Sequence, residues 1–404
     1  MAALTLVRAR TIVPCAADVP QNGVTFEALG RIENGAMLIA DGRVAAVGER
    51  GRIERVALGR DVATLDLGEA IVVPGFVDAH AHPLFDGDRE PDFAARVRGA
   101  KAALGMGYTV AKTREALLDV DRFRNGVIAP RLRTLFAHGT TTLETKTGYA
   151  LTRDGELQLL DLIADFAGEA GVPRLIATFL GAHALPPEFA TFDAYVDHLI
   201  ADVLPEAARH GARYADAFCE PGFFTPEQTR RYLEAARAHG LRERVHCDEM
   251  AYGGAAAMAC DRRVDAVDHC NYVSDADVEA IVARDIVTVA CPATIAYLGL
   301  EGRAPVRALL ERGGRVALAS DFNPGTSPCF NLQTVAYFGR ALFGMTAAEA
   351  LYAVTRAAAA SLRCEAGTLA VGAPADFVAL ALGSPDEFGW QFGGNLATHV
   401  SRGA

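Results

Sequence analysis

The sequence contains no stretch of about 18 consecutive apolar residues, the length that a membrane-spanning helix requires. The densest apolar segment, Ala70–Val77, is interrupted by Pro74 and Gly75. Long runs of basic residues are absent as well, and the formal net charge is −11. Because an acidic surface repels phosphate backbones, these features predict a protein that binds neither nucleic acids nor membranes.

The eight cysteines are scattered, and no two of them form a Cys-x-x-Cys pair. In a chain of 404 residues this distribution is not typical of a disulfide framework, so we expect reduced thiols. The N-terminal segment Met1–Pro14 lacks the apolar core of a secretory signal peptide. Together these features predict a cytoplasmic protein.

Low-complexity tracts and repeats of about 20–50 residues are also absent, which excludes a solenoid. Apolar residues make up 51% of the chain and charged residues 22%, a composition typical of globular proteins and not of disordered ones.

The two ends of the chain are rich in predicted β-strands. Residues Ala36–Ala40 and Arg43–Val47 flank an Asp41-Gly42 turn, which predicts a hairpin. Near the other end, Ala375–Leu382 is typical of a buried strand. We therefore predict a small β-sandwich domain that residues 1–70 and 363–404 form together.

Between residues 71 and 362, short apolar runs alternate with amphipathic segments about eight times. This alternation predicts an α/β fold, a (β/α)₈ TIM-type barrel, as the catalytic domain. The predicted strands are Ile71–Val77, Thr140–Thr145, Arg174–Leu180, Tyr214–Cys219, Arg244–His246, Ala266–Asp268, Val287–Ala290 and Arg315–Ala319.

Polar residues with catalytic potential follow these predicted strands directly. Because the carboxyl ends of barrel strands surround one site, we expect these residues to converge. They are His80, His82, Glu144, Lys146, His183, His246, Glu249, His269 and Asp321.

His80 and His82 are two residues apart, so on a strand their side chains point to the same side and can bind one metal ion. Taken alone, such a pair could equally be two ordinary histidines, buried in the core or exposed to solvent. His246 and Asp321, at other strand ends, complete a set of three nitrogens and one oxygen that suits zinc or iron. We predict one divalent metal ion on these four residues, with zinc favoured and iron as the alternative.

A metal ion in such a site lowers the pKa of bound water and polarises a carbonyl group, which is hydrolytic chemistry. Asp321 or Glu249 could accept the proton of that water. Glu249 has the alternative role of orienting His246. His269 could stabilise an oxyanion or steady Asp321, and the alternative is a structural role.

Segments in the same order along nearly the whole chain make the family resemblance specific. Pro74–His82 resembles the opening metal motif of the amidohydrolase superfamily, and the resemblance narrows to the imidazolonepropionase family. The further matching segments are Phe85–Glu90, Gly139–Tyr149, Leu180–Glu188, Phe218–Phe224, His246–Glu249 and Ser320–Gly325.

The resemblance implies the metal ligands named above and a substrate carboxylate on Arg89. An arginine suits this role because its planar guanidinium binds a propionate through two parallel hydrogen bonds, although a surface arginine is the alternative. The resemblance also implies substrate contacts from Tyr149, His183, Glu249, Asn323, Gly325 and Thr326.

The chain departs from the family pattern around the implied pocket. Residues Gly99–Arg114 are shorter than in the family and lack its glycine run and pocket tyrosine, for which Tyr108 is the candidate replacement. Cys247 and Cys291 also replace other residues, and the role of Cys247 and its neighbour Cys270 stays open. These differences predict an altered substrate pocket with intact metal chemistry.

The resemblance therefore predicts a metal-dependent cyclic amidohydrolase. The expected reaction is hydrolysis of 4-imidazolone-5-propanoate to N-formimidoyl-glutamate in histidine degradation. The alternative is hydrolytic desulfurisation of the 5-oxo-2-thioxoimidazolidine propionate of ergothioneine degradation. Deamination of a purine or pyrimidine is a further hypothesis, which Arg89 disfavours, and a metal-free scaffold is the non-enzymatic one. The expected partner is a small anionic heterocycle with a propionate arm, and the size predicts a homodimer.

Overall fold

The computed structural model describes residues 4–403, and within them the strands form two β-sheets. One is a mixed sheet that both ends of the chain build, and the other consists of eight parallel strands. No helix in the described part of the chain is long and apolar enough to cross a membrane.

The mixed sheet has the strand order β15-β14-β5-β1-β2-β3, with β4 paired to β1. Its strands are β1 (Leu4–Ile12), β2 (Ile32–Ala40), β3 (Arg43–Glu49), β4 (Val62–Asp66), β5 (Ile71–Pro74), β14 (Phe377–Leu380) and β15 (Ala397–Ser401). β1 pairs with β4 along its first half and with β5 at its end. The prediction of a small β-domain from both termini is confirmed, and its strands form one continuous sheet because β14 pairs with β5, which in turn pairs with β1.

The predicted hairpin joins β2 to β3. Asp41 and Gly42 adopt φ values of 47° and 73°, as a two-residue turn that matches the twist of the strands requires. Helix α1 (Arg50–Ala57) follows β3, and its Ile53 packs against Leu6 and Leu38 on one face of the sheet.

The chain passes from the small sheet to the barrel at Gly75. The predicted first barrel strand, Ile71–Val77, is divided there: Ile71–Pro74 pairs with β14 in the small sheet, and only Phe76–Asp78 belongs to the barrel. A Cβ atom at Gly75 would lie 2.1 Å from Thr141 Oγ1, so only glycine permits this close approach. The small sheet thus continues past the boundary predicted at residue 71.

The parallel strands follow one another around the barrel in chain order, which confirms the predicted (β/α)₈ architecture. They are β6 (Phe76–Asp78), β7 (Thr140–Lys146), β8 (Arg174–Ala182), β9 (Tyr214–Cys219), β10 (Arg242–Cys247), β11 (Ala266–His269), β12 (Val287–Ala290) and β13 (Val316–Leu318).

Hydrogen bonds just beyond the first and last barrel strands bring the two edges together. Asp321 N donates to His80 O at 2.9 Å, and His82 N donates to Phe322 O at 2.9 Å. Because these bonds involve the residues that follow β6 and β13, they place His80, His82 and Asp321 side by side.

Helices surround the barrel strands, and Thr225, Ser274 and Thr346 begin three of them with reciprocal capping boxes. The helices after α1 are α2 (Glu90–Val97), α3 (Gly105–Ala116), α4 (Val120–Phe123), α5 (Ala129–Ala137), α6 (Arg153–Asp165), α7 (Phe192–His198), α8 (Leu204–Arg209), α9 (Pro226–Ala238), α10 (Ala255–Arg262), α11 (Asp275–Ala283), α12 (Pro292–Leu298), α13 (Val306–Glu311), α14 (Leu332–Phe343), α15 (Ala347–Tyr352) and α16 (Ala358–Ser361). Short π-helical turns at Arg124–Ile128, Leu199–Val203 and Ala353–Ala357 connect some of them.

Candidate active site

A cavity of about 250 Å³ lies at the carboxyl ends of the barrel strands. The predicted site residues in its wall are His82, Arg89, Tyr149, His183, His246, Glu249, His269, Asp321, Asn323 and Thr326. His80 is fully buried beside His82, and Gly325 is buried beneath Arg89. A larger cavity of about 570 Å³ is lined by Arg174, at the start of β8, and contains none of the predicted residues.

Three histidines and one carboxylate converge on a single point at the inner end of the cavity. His80 Nε2 and His82 Nε2 are 3.2 Å apart, and they lie 3.5 and 3.4 Å from Asp321 Oδ1. His246 contributes a nitrogen within 4.8 Å of those of His80 and His82. Ligands around a tetrahedral zinc ion stand about 3.4 Å from one another, so this donor set fits a metal of that size.

Two buried carboxylates orient the candidate ligands. Asp268 Oδ2 accepts from His80 Nδ1 at 2.7 Å, and Asp216 Oδ2 lies 3.0 Å from His246 Nδ1, which leaves each Nε2 free for a metal. Burial and the Lys146 ammonium lower the pKa of His80, but Asp268 and Asp321 together raise it to about 9. Burial lowers the pKa of His82, which has no such carboxylate, to about 4.

Lys146 connects these carboxylates at the centre of the barrel. Its ammonium donates to Glu144 at 2.8 Å and to Asp216 at 2.7 Å, and it lies 3.6 Å from Asp268. The Arg244 guanidinium donates to both oxygens of Asp268. Lys146 and Glu144 therefore act on the site indirectly, through the carboxylates that orient His80 and His246.

The contact between Asp216 and His246 predicts a measurable effect on metal binding. We expect Asp216→Asn to weaken zinc binding by about 10–100-fold, because the amide no longer fixes the His246 ring or increases its basicity. Competition with a chelator measures the affinity without any assay of activity. Asp161→Asn is the matched control, because Asp161 pairs with His210 at 2.7 Å on the surface. Equal affinities for all three proteins would contradict the orienting role.

Asp321 is held in place by its backbone conformation and by a hydrogen bond from Thr294. Its backbone adopts a φ of 49°, and its Oδ2 accepts a 2.7 Å hydrogen bond from Thr294 Oγ1. Burial raises the pKa of Asp321, but hydrogen bonds from His80 and His82 hold it well below its usual range. The carboxylate is therefore ionised, as a metal ligand and proton acceptor must be.

The site has the composition of a hydrolytic metal centre, and comparison with known proteins identifies its family. The sequence pattern of the Amidohydrolase family matches residues 71–403. The chain belongs to the amidohydrolase family. It is 36% identical to the imidazolonepropionase of Parabacteroides distasonis over 97% of this chain and 95% of the relative. It is 37% identical to the imidazolonepropionase of Solibacter usitatus over 94% of this chain and 92% of the relative.

Solved structures of other amidohydrolase-like proteins share the fold. Guanine deaminase from C. acetobutylicum covers 99% of this chain and 98% of its own length with a TM-score of 0.72 at 14% identity. Atrazine chlorohydrolase from Arthrobacter aurescens, a structure complexed with zinc, covers 98% of this chain and 93% of its own with a TM-score of 0.70 at 17% identity. At these identities the likeness concerns the fold alone.

In this amidohydrolase, Glu249 lies on a loop fixed by another carboxylate. Glu220 accepts hydrogen bonds from the backbone N–H groups of Glu249 at 2.8 Å, Met250 at 2.9 Å and Ala251 at 2.7 Å. Burial, Asp321 and Glu220 raise the pKa of the Glu249 carboxyl well above its usual range. Because Asp216 is the residue that orients His246, Glu249 is free to act toward the cavity.

His269 lies near Asp321 and Glu249, with one side-chain atom of each residue within 4.8 Å of the others, and its Nε2 is 3.8 Å from Glu249 Oε2. Both of its ring nitrogens are buried and have no hydrogen-bond partner. Burial lowers the pKa of His269 well below its ordinary value, so the ring is neutral. A buried, unpartnered and neutral imidazole is suited to contact with a ligand.

Arg89 lies against Gly325 at the outer part of the cavity. A Cβ atom at Gly325 would be 2.2 Å from Arg89 Nη1, so a larger residue there would displace the guanidinium. The Arg89 side chain is 14% exposed, which does not match a surface arginine. Asn323 accepts hydrogen bonds from the backbone N–H groups of Gly325 at 2.9 Å and Thr326 at 2.8 Å, and thereby shapes this loop.

Tyr149 and His183 form the wall next to His82. His183 stacks on His82 with ring centroids 5.4 Å apart, and Tyr149 meets His183 edge-on at 5.2 Å. His183 Nδ1 lies 2.9 Å from Gly148 O, which fixes the ring. Burial lowers the pKa of His183 well below its ordinary value, so it remains neutral.

The segment that departs from the family pattern contributes Met106 to the cavity. Tyr108 instead packs beside Gly87, whose added Cβ would lie 3.1 Å from Tyr108 Cε1. Tyr108 therefore does not replace the pocket tyrosine of the family, and the side chain of Met106 lines the cavity from this segment. Cys247 ends β10, and Cys270 follows β11 and donates its N–H to Cys247 O at 3.0 Å. Burial raises the pKa of the Cys247 thiol well above its usual range, which is consistent with packing.

Sequence reasoning missed Asp216, Met106, Phe218, Phe223 and Met250. Asp216 had one available signal, since it is a single acidic residue inside the apolar strand Tyr214–Cys219. Phe218 and Phe223 lie in the matching segment Phe218–Phe224, but no role was assigned to them. Met106 and Met250 had no signal, because apolar side chains in a cavity wall resemble those of the core.

Proposed function

We propose that this amidohydrolase hydrolyses 4-imidazolone-5-propanoate to N-formimidoyl-glutamate, as the ring-opening step of histidine degradation. One observation carries the proposal: a single cavity combines a candidate metal site at its inner end with the Arg89 guanidinium at its outer part. The relatives named imidazolonepropionase, at 36% and 37% identity, favour the imidazolone ring over the thioxo ring. A cytoplasmic location and a homodimer stay predictions from the sequence.

His80, His82, His246 and Asp321 would hold one divalent ion, with zinc as the first expectation and iron as the second. When bound, the ion would lower the pKa of a water molecule and polarise the ring carbonyl. The fit of the residues is supported by the Nε2 atoms of His80 and His82, which face each other at 3.2 Å and lie 3.5 and 3.4 Å from Asp321 Oδ1, as ligands around one ion would.

Asp321 is the proton acceptor in this reaction because its carboxylate is ionised and lies beside His80 and His82. The oxygen of water adds to the ring carbonyl carbon, and the ring C–N bond then breaks. The proton that Asp321 accepts passes to the departing nitrogen. His269 stabilises the negative charge that develops on the carbonyl oxygen.

Glu249 retains its proton because its pKa is raised well above the usual range, so it donates a hydrogen bond to the ring. Arg89 binds the propionate, and Thr326 and Asn323 lie beside it in the wall. Tyr149 and His183 orient the ring, and Phe218 and Met106 provide apolar contacts.

The proposal is tested by turnover of 4-imidazolone-5-propanoate, followed through loss of the ring absorbance with zinc-loaded protein. We expect a kcat/KM within about 10⁴–10⁸ M⁻¹s⁻¹. The thioxo analogue and guanine serve as competing substrates and should be turned over far more slowly. A higher kcat/KM for the thioxo analogue, with metal content verified, would overturn the assignment of the ring.

A further inference from the structure

We infer that Asp92 is a positioning residue for Arg89 and determines which edge of the Arg89 guanidinium meets the substrate carboxylate. The inference rests on the proposed function, in which Arg89 binds the propionate. Asp92 lies in α2, three residues after Arg89, and does not line the cavity.

Asp92 is fixed by the backbone of a different helix. Its Oδ1 accepts from Leu104 N at 2.6 Å, and its Oδ2 accepts from Gly105 N at 3.0 Å. These N–H groups belong to the first turn of α3, where a carboxylate is stabilised by the helix dipole. The residue is 2% exposed, so water does not compete for these bonds.

The same carboxylate binds Arg89. Asp92 Oδ2 accepts from Arg89 Nε at 2.7 Å, and Nε is thereby unavailable to a ligand. The edge of the guanidinium that remains available is the one formed by Nη1 and Nη2. This edge lies against Gly325, in the loop after β13. This edge presents two parallel N–H donors, the geometry that a carboxylate accepts in a bidentate manner.

Asp92 also connects the anion site to one apolar wall. The turn that it holds begins α3, and the second residue of α3 is Met106, which lines the cavity. Because one carboxylate binds both Arg89 and the start of α3, the distance between the guanidinium and the Met106 wall is fixed. The shortened segment before α3 is thereby part of the substrate-binding unit.

The alternative to a positioning role is that Asp92 only caps α3, and a double-mutant cycle distinguishes the two. We expect Asp92→Asn to raise KM for 4-imidazolone-5-propanoate by about 10–100-fold, since a charged hydrogen bond to Arg89 is lost, with kcat changed by less than about threefold. In the Arg89→Met background, Asp92→Asn should then change KM by less than about twofold.

Glu90→Gln is the matched control, because Glu90 is an exposed acid in the same helix and should leave KM and kcat unchanged. An effect of Asp92→Asn that is equally large with and without Arg89 would overturn the inference in favour of a purely structural cap. If Asp92→Asn does not fold, Asp92→Glu retains the charge, displaces Arg89 by one methylene group, and allows the same cycle.

Binding of hydantoin-5-propionate and of its neutral carboxamide, measured by calorimetry, separates this inference from the proposed reaction. We expect the native protein to prefer the propionate and Asp92→Asn to lose most of that preference. If this preference and its loss are observed but 4-imidazolone-5-propanoate is not turned over, the positioning role of Asp92 is supported and the proposed function is wrong. Equal binding of the two compounds by the native protein would overturn the inference, and normal turnover would still support the reaction.

Discussion

Replacement of Asp321 by asparagine should lower kcat for ring opening by about 10²–10⁴-fold, the range expected when a general base is removed. The amide can still accept from Thr294, which donates to Oδ2 at 2.7 Å, so the side chain is expected to keep its orientation. It cannot accept a proton from water, however, because it carries no negative charge.

Measurement of zinc content alongside kcat separates loss of the proton acceptor from loss of a ligand. Asp121→Asn is the control, because Asp121 is an exposed aspartate in α4. Retention of more than about a tenth of the native kcat, at full metal occupancy, would contradict the role of Asp321 as base.

The substitution Arg89→Met should raise KM for 4-imidazolone-5-propanoate by about 30-fold or more, with a much smaller change in kcat. The reason is that a carboxylate desolvated in the cavity loses its partner, and the loss of one member of such a pair costs roughly 2–5 kcal/mol. Methionine retains the apolar stem of the side chain and removes only the guanidinium that lies against Gly325.

Initial rates over a range of substrate concentrations give the two constants for this variant. Arg98→Met is the matched control, since Arg98 is exposed at the end of the same helix, α2. An unchanged KM would show that the propionate binds elsewhere in the cavity.

The barrel could be predicted from the sequence because parallel strands covered on both faces are short apolar runs, and each is followed by an amphipathic helix. Its first strand was the exception. Ile71–Val77 is one apolar run, yet Ile71–Pro74 pairs with β14, a strand about 300 residues away in the sequence. Local periodicity contains no information about such a partner.

In the site, too, local motifs could be predicted from the sequence, whereas contacts between distant segments could not. His80, His82 and Asp321 could be predicted because they belong to motifs at strand ends, whereas Arg89 and its role were implied by the family resemblance alone. Asp216 was missed, because its partners Lys146 and His246 lie 70 and 30 residues away along the chain. Asp92 was missed for a related reason: an acid in the first turn of a helix is typical of solvent-exposed positions, and only the fold brings α3 to it.

The central claim is that one cavity uses a metal site and an anion site to open an imidazolone ring with water. The most direct test is product analysis after reaction of 4-imidazolone-5-propanoate with zinc-loaded protein in water enriched in heavy oxygen. The account predicts N-formimidoyl-glutamate with one heavy oxygen in the newly formed carboxylate, and no product from His80→Ala. An intact ring after incubation with protein of verified metal content, or a product without the heavy oxygen, would contradict it.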